Sequence, residues 1–279
     1  MKGVTLKRWR GQHILNDGNV LKKIVSAAAI QPTDTVVEIG AGTGNLTVLL
    51  ARRARRVIAI EIDNDLIPIL RERCKDYPNV EIIHDDARTF DHTNYELQTT
   101  NYFVVANIPY NITSLLIRKF LEADVVPSKM ILLIQKEVAL RICAQPPHMS
   151  LLAVAVQYYA HPRVLFSVGR TCFSPRPNVD SAVIEIMEIM GSGAIKLIAP
   201  DPIISIISDH VFFRVVHAGF AHKRKLLISN LAPVIPAKAG IQIVDIFSQL
   251  HIPPTARAQE LSLDQWKALC AALSKTLTD

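Results

Sequence analysis

The chain has 279 residues, of which 49% are hydrophobic and 20% are charged, and its formal net charge is +6. These values predict a packed globular protein of one or two domains and exclude an intrinsically disordered chain. The basic excess favours a polyanionic partner, although a basic protein without such a partner carries the same charge. The sequence shows no signal peptide and no apolar run of the roughly 18 residues that a membrane span needs, so we expect a cytoplasmic location without membrane attachment.

The first half of the chain alternates strand patterns with helix patterns. Helix patterns lie at 19–29, 46–55, about 63–75 and 113–121, and apolar strand patterns lie at 35–39, 57–60, 80–83, 102–106 and 129–134. Asp63 is a candidate N-cap of the third helix. Strands that alternate with helices predict an α/β fold with a doubly wound, mostly parallel sheet, and such sheets bind ligands at the carboxyl ends of their strands.

The pattern changes in the second half. A helix pattern at 149–160 precedes strand patterns at 163–168 and 181–189, and a segment rich in glycine and proline follows at 190–202. Beyond it we find only helix patterns, at 203–218, 224–231, 244–250 and 263–273. We therefore predict an α/β domain at 1–190 and a small all-helical domain at 200–279.

Cysteine and histidine spacing gives no sign of a metal site. Cys74, Cys143, Cys172 and Cys270 are far apart and form no C-x-x-C pair, and His217 and His222 have no further ligand nearby in sequence. Structural zinc needs clustered ligands, so we expect reduced thiols and no bound metal.

A glycine-rich loop follows the strand at 35–39. Its sequence, Gly40-Ala41-Gly42-Thr43-Gly44, is followed by Asn45, where the G-x-G-x-x-G pattern of nicotinamide sites would require a glycine. The G-x-G-x-G spacing is instead typical of proteins that bind S-adenosylmethionine, which has no pyrophosphate. We therefore predict S-adenosylmethionine as the cofactor, bound partly at Gly40 and Gly42.

Polar residues end three successive strand patterns. Glu61 is placed to accept hydrogen bonds from ribose hydroxyls, and Asp86 to accept one from an adenine amino group. Asn107 ends the next strand. Each alone is compatible with an ordinary solvated loop, but together they predict one edge of a ligand-binding cleft.

Asn107-Ile108-Pro109-Tyr110 has the features needed to methylate an adenine amino group. That nitrogen is a poor nucleophile because its lone pair is delocalised into the ring. Two acceptors, the Asn107 side-chain oxygen and the Ile108 carbonyl, would hold its two protons and direct the lone pair outward. Tyr110 can stack on the base.

Two other features leave alternatives open. Phe173 begins a proline-rich segment and is either the second face of a base sandwich with Tyr110 or a core residue. Basic runs at 7–10, 52–56 and 222–225 are either phosphate contacts or solvated faces.

Taken together, the motifs resemble the family of ribosomal RNA adenine N6,N6-dimethyltransferases over nearly the whole chain. The matching segments are 11–17, the loop that begins at Glu38, 60–63, 86–87, 107–110, 135–138, 173–183 and 220–227. The resemblance implies a Rossmann-like class I S-adenosylmethionine methyltransferase sheet with a small all-helical C-terminal domain that contacts RNA or the ribosome.

The resemblance also implies roles for individual residues. His13 and Leu15 would line the cofactor site with Gly40, Glu61, Asp86 and Asn107. Asn107 and Tyr110 would hold the target adenine, with Phe173 beside it. The implied partner is small-subunit ribosomal RNA or the pre-small subunit, and the enzyme would belong to the bacterial housekeeping branch, with a role in ribosome assembly. The charge and the mechanism, in turn, favour a monomer.

That branch dimethylates two adjacent adenines in a hairpin loop near the 3′ end of small-subunit RNA. Two alternatives are a large-subunit methyltransferase of the antibiotic-resistance type and a non-catalytic ribosome assembly factor. The chain departs from the family pattern at Ile14, where an aromatic residue is usual, at Trp9-Arg10, and at 234–243, which we interpret as a surface loop.

Overall fold

The computed structural model describes residues 13–91, 95, 97, 102–187, 209–234 and 242–277. Trp9-Arg10, most of the segment 234–243 and the first residues of the helix pattern at 203–218 lie outside the described residues.

The strands in the described part of the chain form one large sheet and one short ladder. They are β1 (Ile14–Leu15), β2 (Thr35–Ile39), β3 (Arg56–Glu61), β4 (Val80–His84), β5 (Tyr102–Asn107), β6 (Lys129–Gln135), β7 (His161–Val168), β8 (Phe173–Ser174) and β9 (Ser181–Met187). The large sheet has seven strands in the order β4-β3-β2-β5-β6-β9-β7, and β1 pairs with β8.

Five neighbouring strands of the large sheet, from β4 to β6, run parallel, and β9 and β7 complete it with antiparallel pairs. Every residue of β2 is buried, as are five of the six residues of β3. Burial along the whole length is expected of parallel strands that helices cover on both faces. The predicted α/β fold with a mostly parallel, doubly wound sheet is therefore confirmed.

The strand order reverses between β2 and β5, which are neighbours in the sheet although two strands separate them in sequence. Their register pairs Thr35 with Tyr102, so both strands end at the same edge. Loops that leave such a point diverge to opposite faces of the sheet and open a crevice between them. The glycine loop after β2 and Asn107 at the end of β5 meet there.

Helices cover the faces of the sheet and form the C-terminal part. They are α1 (Gly18–Ala28), α2 (Thr47–Ala51), α3 (Ile67–Cys74), α4 (Thr113–Leu121), α5 (Lys136–Ile142), α6 (Leu151–Tyr159), α7 (Asp209–Gly219), α8 (Leu227–Leu231), α9 (Gln242–Gln249) and α10 (Leu263–Leu277).

The start of α1 shows how local sequence sets a helix boundary. The Asp17 carboxylate accepts hydrogen bonds from the backbone N–H groups of Asn19 and Val20, at 2.9 and 3.0 Å. Side-chain acceptors of this kind satisfy amides that have no partner within the helix. Leu21 and Ile24 then face the core, one turn apart.

Asp63 does not cap a helix, contrary to the prediction. Its side chain accepts a hydrogen bond from the Asp65 backbone N–H at 3.1 Å, and its carbonyl accepts one from Leu66 at 3.0 Å. These bonds close a turn at 63–66, and α3 begins only at Ile67. Pro68 favours this later start because proline fits the first turn of a helix.

The described residues divide into two compact units. The residues up to Leu140 together with 160–187 form one unit, and 141–159 group with the residues from 209 onward. This division differs from the predicted boundary near 190. Within the second unit, the hydroxyls of Tyr158 and Tyr159 donate to Asp209 at 3.1 and 3.2 Å, which explains why α6 belongs with the C-terminal helices.

The regular elements described in the second unit are all helical, as predicted. Its interior contains Trp266, whose ring stacks on Phe220 with centroids 5.5 Å apart. The Asn230 side chain donates to the carbonyls of Gly219 and His222, at 2.7 and 3.0 Å, and so fixes the turn between α7 and α8. Among the helices of the described residues, none is both long enough and apolar enough to cross a membrane.

Two helical glycines should respond in opposite directions to substitution by alanine. A Cβ atom at Gly219 would lie 3.0 Å from Leu227 and would overlap the Trp266 ring, whereas a Cβ at Gly18 would meet nothing within 4 Å. We expect Gly219→Ala to lower the free energy of unfolding by about 1–3 kcal/mol through overpacking. Gly18→Ala, the matched control, should be neutral or stabilise by up to about 1 kcal/mol.

Urea denaturation of the two variants beside the wild type measures both effects. Equal destabilisation by the two substitutions would contradict the close packing of Gly219 against Trp266.

Candidate active site

A cavity of about 380 Å³ opens at the carboxyl ends of β2 to β5. The predicted site residues that line it are His13, Leu15, Gly40, Gly42, Glu61, Asp86, Asn107 and Tyr110. Residues from five separate stretches of the sequence thus meet at one place, and the cavity volume is in the range of small-molecule sites.

The glycine loop turns sharply at the base of the cavity. Gly40, Gly42 and Gly44 have φ angles of 68°, 58° and 81°, a backbone region that other residues rarely occupy. The N–H groups of Gly40 and Ala41 both donate to the carbonyl of Ile60, at 2.9 and 3.1 Å. The loop is therefore tied to the end of β3, and its backbone forms part of the cavity wall.

Asn45 has a structural role at the position where a nicotinamide-binding loop would have glycine. Its side-chain amide donates to the Leu15 carbonyl at 2.9 Å and to the Asn16 side chain at 3.2 Å, and its oxygen accepts a hydrogen bond from Arg73. Asn45 therefore fastens the 13–16 segment beside the glycine loop.

The carboxylate of Glu61 is buried and bridges two loops. One oxygen accepts the Gly42 N–H and the other accepts the Asp63 N–H, each at 2.8 Å. Burial raises the pKa of Glu61, and the two backbone hydrogen bonds oppose that rise. Each oxygen keeps a further lone pair with which it can accept a hydrogen bond from a ligand.

Glu38 also lines the cavity, although the sequence motifs predict no role for it. It is the fourth residue of the fully buried strand β2, and its Oε2 atom is buried without a hydrogen-bond partner among the described residues. Burial raises the pKa of Glu38 to about 8, and the nearby Glu61 adds to the rise. The signal available in the sequence was a carboxylate inside an otherwise apolar strand.

Arg88 engages the Asp86 carboxylate with a bidentate contact. Its Nε lies 3.1 and 2.8 Å from the two oxygens, its terminal nitrogen lies 2.5 Å from Oδ2, and its backbone N–H donates to Oδ1 at 2.9 Å. The guanidinium lowers the pKa of Asp86. Three N–H groups of Arg88 thus use most of the roughly four acceptor positions of this carboxylate. A ligand that needs Asp86 as an acceptor therefore competes with Arg88.

The loop that carries Asp86 is held from the next helix. The ammonium group of Lys119, in α4, donates to the carbonyls of Ala87, Arg88 and Phe90, at 3.2, 3.0 and 2.5 Å. Lys119 therefore joins the Asp86 loop to the helix that follows the Asn107–Tyr110 segment, a link that strand and helix patterns cannot show.

The side chain of Asn107 is oriented by the backbone of His13. Its amide nitrogen donates to the His13 carbonyl at 2.9 Å. Because one end of the amide is used as a donor, the other end is fixed as an acceptor within the cavity wall. This is the orientation that the sequence reading required of Asn107.

Tyr110 is half-buried and held at both its ring and its hydroxyl. Its hydroxyl lies 2.7 Å from the Ser181 hydroxyl, and its ring stacks on His13 with centroids 5.5 Å apart. Burial raises the pKa of Tyr110, so the phenol stays protonated at neutral pH. His13 in turn lies 2.7 Å from the Pro175 carbonyl through Nδ1. The contacts with His13 and Ser181 were not predicted.

The structure does not bring Phe173 into the cavity. Its side chain is buried in the main core, where it packs in one cluster with Leu15, its partner across the β1–β8 ladder. Of the two roles considered for Phe173, a core residue and a face of a base sandwich, the geometry therefore favours the core residue. Ile14, in contrast, lines the cavity at the position where an aromatic residue was expected. Among the described residues, no group of three or more metal-ligand side chains occurs.

Residues 4–275 match the family model described as ribosomal RNA adenine dimethylase. A ribosomal RNA small subunit methyltransferase A from Dehalococcoides mccartyi is 39% identical over 272 residues, which cover 97% of this chain and 90% of that protein.

Two solved structures are also similar. A dimethyladenosine transferase from Plasmodium falciparum has a TM-score of 0.78 and 26% identity, over 95% of this chain and 98% of the other. A 23S rRNA methyltransferase, ErmE, has a TM-score of 0.73 over 94% of this chain and 99% of the other. Its identity of 24% makes it evidence for the fold alone.

The buried Glu38 should make the stability of the protein depend on pH. Its pKa is about 8 in the folded state and near 4.5 when solvated, so folding takes up a proton between these values and stability falls as pH rises through the window. We expect Glu38→Gln to reduce the loss of unfolding free energy between about pH 5 and pH 8 by roughly 1–4 kcal/mol.

Urea denaturation at several pH values measures this difference. Glu137→Gln, at an exposed position of α5, is the control and should leave the pH profile unchanged. Parallel pH profiles for the wild type and Glu38→Gln would show that Glu38 is not the group responsible.

Proposed function

This chain belongs to the ribosomal RNA adenine dimethylase family, and on that premise we propose that it transfers methyl groups from S-adenosylmethionine to two adjacent adenines near the 3′ end of small-subunit ribosomal RNA. The observation that carries the proposal is the Asn107 side chain, which the His13 carbonyl orients with its oxygen as an acceptor beside the cavity. The expected product is N6,N6-dimethyladenine at both positions.

The cavity fits the proposed cofactor in size and in chemistry. The positive φ angles at Gly40 and Gly42 favour glycine, so the loop presents backbone without side chains to the cavity. Glu61 has acceptor capacity left for ribose hydroxyls. His13 and Leu15 close the same cavity. When bound, S-adenosylmethionine would supply a methyl group on a positively charged sulfonium, and two acids, Glu38 and Glu61, lie in the wall of the cavity.

The target adenine requires two acceptors and a stacking partner. The Asn107 oxygen and the Ile108 carbonyl would each accept one proton of the amino group, which favours a pyramidal nitrogen with its lone pair free. Tyr110 would lie against the base, held by Ser181 and His13. Its raised pKa suits a neutral stacking residue and not a base. Positioning and electrostatics then account for most of the rate enhancement.

No strong general base is needed, because the methylated amine loses its extra proton readily. Phe173 does not reach the cavity, so we assign its side chain to the support of Leu15 and confine base contact to Asn107 and Tyr110.

The name of the bacterial relative supports the small subunit as substrate. The second unit would contact RNA, since His222–Lys225 is an exposed basic turn between α7 and α8. We further propose a monomeric, cytoplasmic enzyme, in accord with a substrate as large as a ribosomal subunit. The large-subunit alternative has support only at the level of the fold.

Substitutions at Asp86 and Arg88 should change cofactor affinity in opposite directions. Asp86→Asn keeps the shape but loses the charge, so we expect about tenfold weaker binding of S-adenosylmethionine. Arg88→Met frees the carboxylate from the bidentate contact, so we expect binding to tighten by roughly twofold to tenfold. Isothermal titration calorimetry measures both values, and weaker binding by Arg88→Met would show that Arg88 supports the site and does not compete with the cofactor.

The substrate is tested by methyl transfer from labelled S-adenosylmethionine to unmethylated small subunits, with large subunits in parallel. We expect label on two adjacent adenines near the 3′ end of small-subunit RNA. Asn107→Ala should lower the rate by about 10²–10³-fold, because it removes an oriented acceptor. Its cofactor affinity should be measured beside it, to separate a loss of binding from a loss of methyl transfer.

Each other outcome supports a different function. Label on large-subunit RNA would favour the antibiotic-resistance branch. An absence of transfer with cofactor still bound would contradict the proposed substrate. An absence of both transfer and cofactor binding would favour a non-catalytic assembly factor.

A further inference from the structure

The turn between α2 and β3 carries four arginines within five residues: Arg52, Arg53, Arg55 and Arg56, here called the arginine turn. The first three are exposed and Arg56 is half-buried. Arg56 begins β3 and Glu61 ends it. At about 3.3 Å per residue, the arginine turn and the methyl-transfer cavity are roughly 16 Å apart along the strand, at opposite edges of the sheet. The turn therefore has no part in the cavity.

The backbone of the arginine turn is held firmly in place. The Asn79 side chain donates to the carbonyls of Ala51 and Ala54, at 2.8 and 2.9 Å. The Arg53 N–H donates to the Leu50 carbonyl and the Arg55 N–H to the Asp34 carbonyl, both at 2.9 Å. The ordered backbone thus keeps the four arginines close together, and the repulsion between their positive charges favours a polyanionic partner.

Carboxylates neutralise only a small part of this charge. Among the described residues, Arg56 alone of the four pairs with an acid, Glu81, at 2.6 Å. Arg52 donates to the Tyr77 hydroxyl at 2.9 Å, and Arg55 donates to the Thr35 hydroxyl at 3.3 Å. These neutral partners orient the guanidinium groups without removing their charge. Arg53 has no side-chain partner in the described part of the chain.

An open, mostly polar cleft adjoins the turn. It has a volume of about 620 Å³ and is lined by Arg55, Arg56, Pro78, Asn79, Glu81 and Tyr95, together with Val80. Arginine is well suited to phosphate because its planar fork donates two parallel hydrogen bonds, and a cleft beside it gives room for the sugar-phosphate chain. Phosphate contacts position a protein on RNA without reading its sequence.

We propose that the arginine turn is a second docking surface of this enzyme, which binds the phosphodiester backbone of ribosomal RNA at the sheet edge remote from the methyl-transfer cavity. The proposal rests on the proposed function, because that function supplies an RNA long enough to reach both edges. The surface contributes to substrate affinity and not to chemistry. It therefore affects KM for the RNA substrate and leaves kcat and cofactor affinity unchanged.

The test uses the full chain with Arg53→Gln and Arg55→Gln combined, which removes two exposed charges. The matched control is Lys22→Gln with Lys23→Gln, two exposed charges on α1. We measure binding to unmethylated small subunits and to protein-free small-subunit RNA by filter binding over a range of salt concentrations, and methyl-transfer kinetics on the subunits. Thermal melts confirm that both double variants are folded.

We expect the arginine variant to bind both RNA substrates about tenfold more weakly near physiological salt. The slope of the logarithm of its binding constant against the logarithm of salt concentration should be smaller in magnitude by about 1.4–1.8, since each lost phosphate contact removes roughly 0.7–0.9. The value of kcat and the affinity for S-adenosylmethionine should match the wild type, and the lysine control should change binding by less than about twofold.

Three results would overturn the proposal. If the lysine control binds RNA as weakly as the arginine variant, the loss of affinity comes from the lower net charge and not from the arginine turn. Wild-type affinity of the arginine variant would show that the turn does not touch RNA. Weaker binding to subunits but not to protein-free RNA would make an acidic ribosomal protein the partner. If the wild type binds subunits but transfers no methyl group, the proposed function fails while the binding comparison still decides the docking surface.

Discussion

The carboxylate of Glu61 joins the two loops that shape the cavity, and most of the candidate site depends on it. It accepts one backbone N–H from the glycine loop and one from the turn at 63–66. Burying a carboxylate is unfavourable unless hydrogen bonds replace its water, and two backbone donors do so here. Glutamine would accept only one of these bonds and would set an N–H group against the other donor. The residue that would bind ribose is therefore also the one that gives the loops their shape.

The N-terminal side of the cavity depends on two asparagines from different loops. Asn107 donates to the His13 carbonyl, and Asn45 donates to the Leu15 carbonyl two residues later. The 13–16 segment is thus held by the last residue of β5 and by a residue of the loop after β2, on either side of the point where the strand order reverses. The same contacts orient Asn107 for its proposed role. One short stretch of backbone therefore connects the proposed cofactor side of the cavity with the residue proposed to hold the target base.

The parts of the fold that depend on local pattern were predictable, and those that depend on distant contacts were not. The strand at 35–39 and the helix at 113–121 have the predicted limits, because apolar runs and helical spacing are local signals. Helix α5 was missed because it follows β6 at once, without a turn residue. The two-residue ladder that joins Leu15 to Phe173 spans more than 150 positions, so no local pattern could show that Phe173 belongs to the core. Asp86 shows a different limit, since its strand-end position was predictable but its contact with Arg88, only two residues away, depends on side-chain conformations that the sequence pattern does not fix.

Acidic and basic residues are concentrated at opposite ends of the strands of the sheet, which the net charge of +6 does not show. Glu38 and Glu61 are buried at the carboxyl edge, and the arginine turn lies at the amino edge. Burial raises the pKa of both acids, whereas a positive ligand close to them would favour their ionised form and lower those pKa values. A sulfonium cofactor is such a ligand, whereas the thioether left after methyl transfer has lost that positive charge. The buried acids should therefore favour a sulfonium methyl donor over its thioether product.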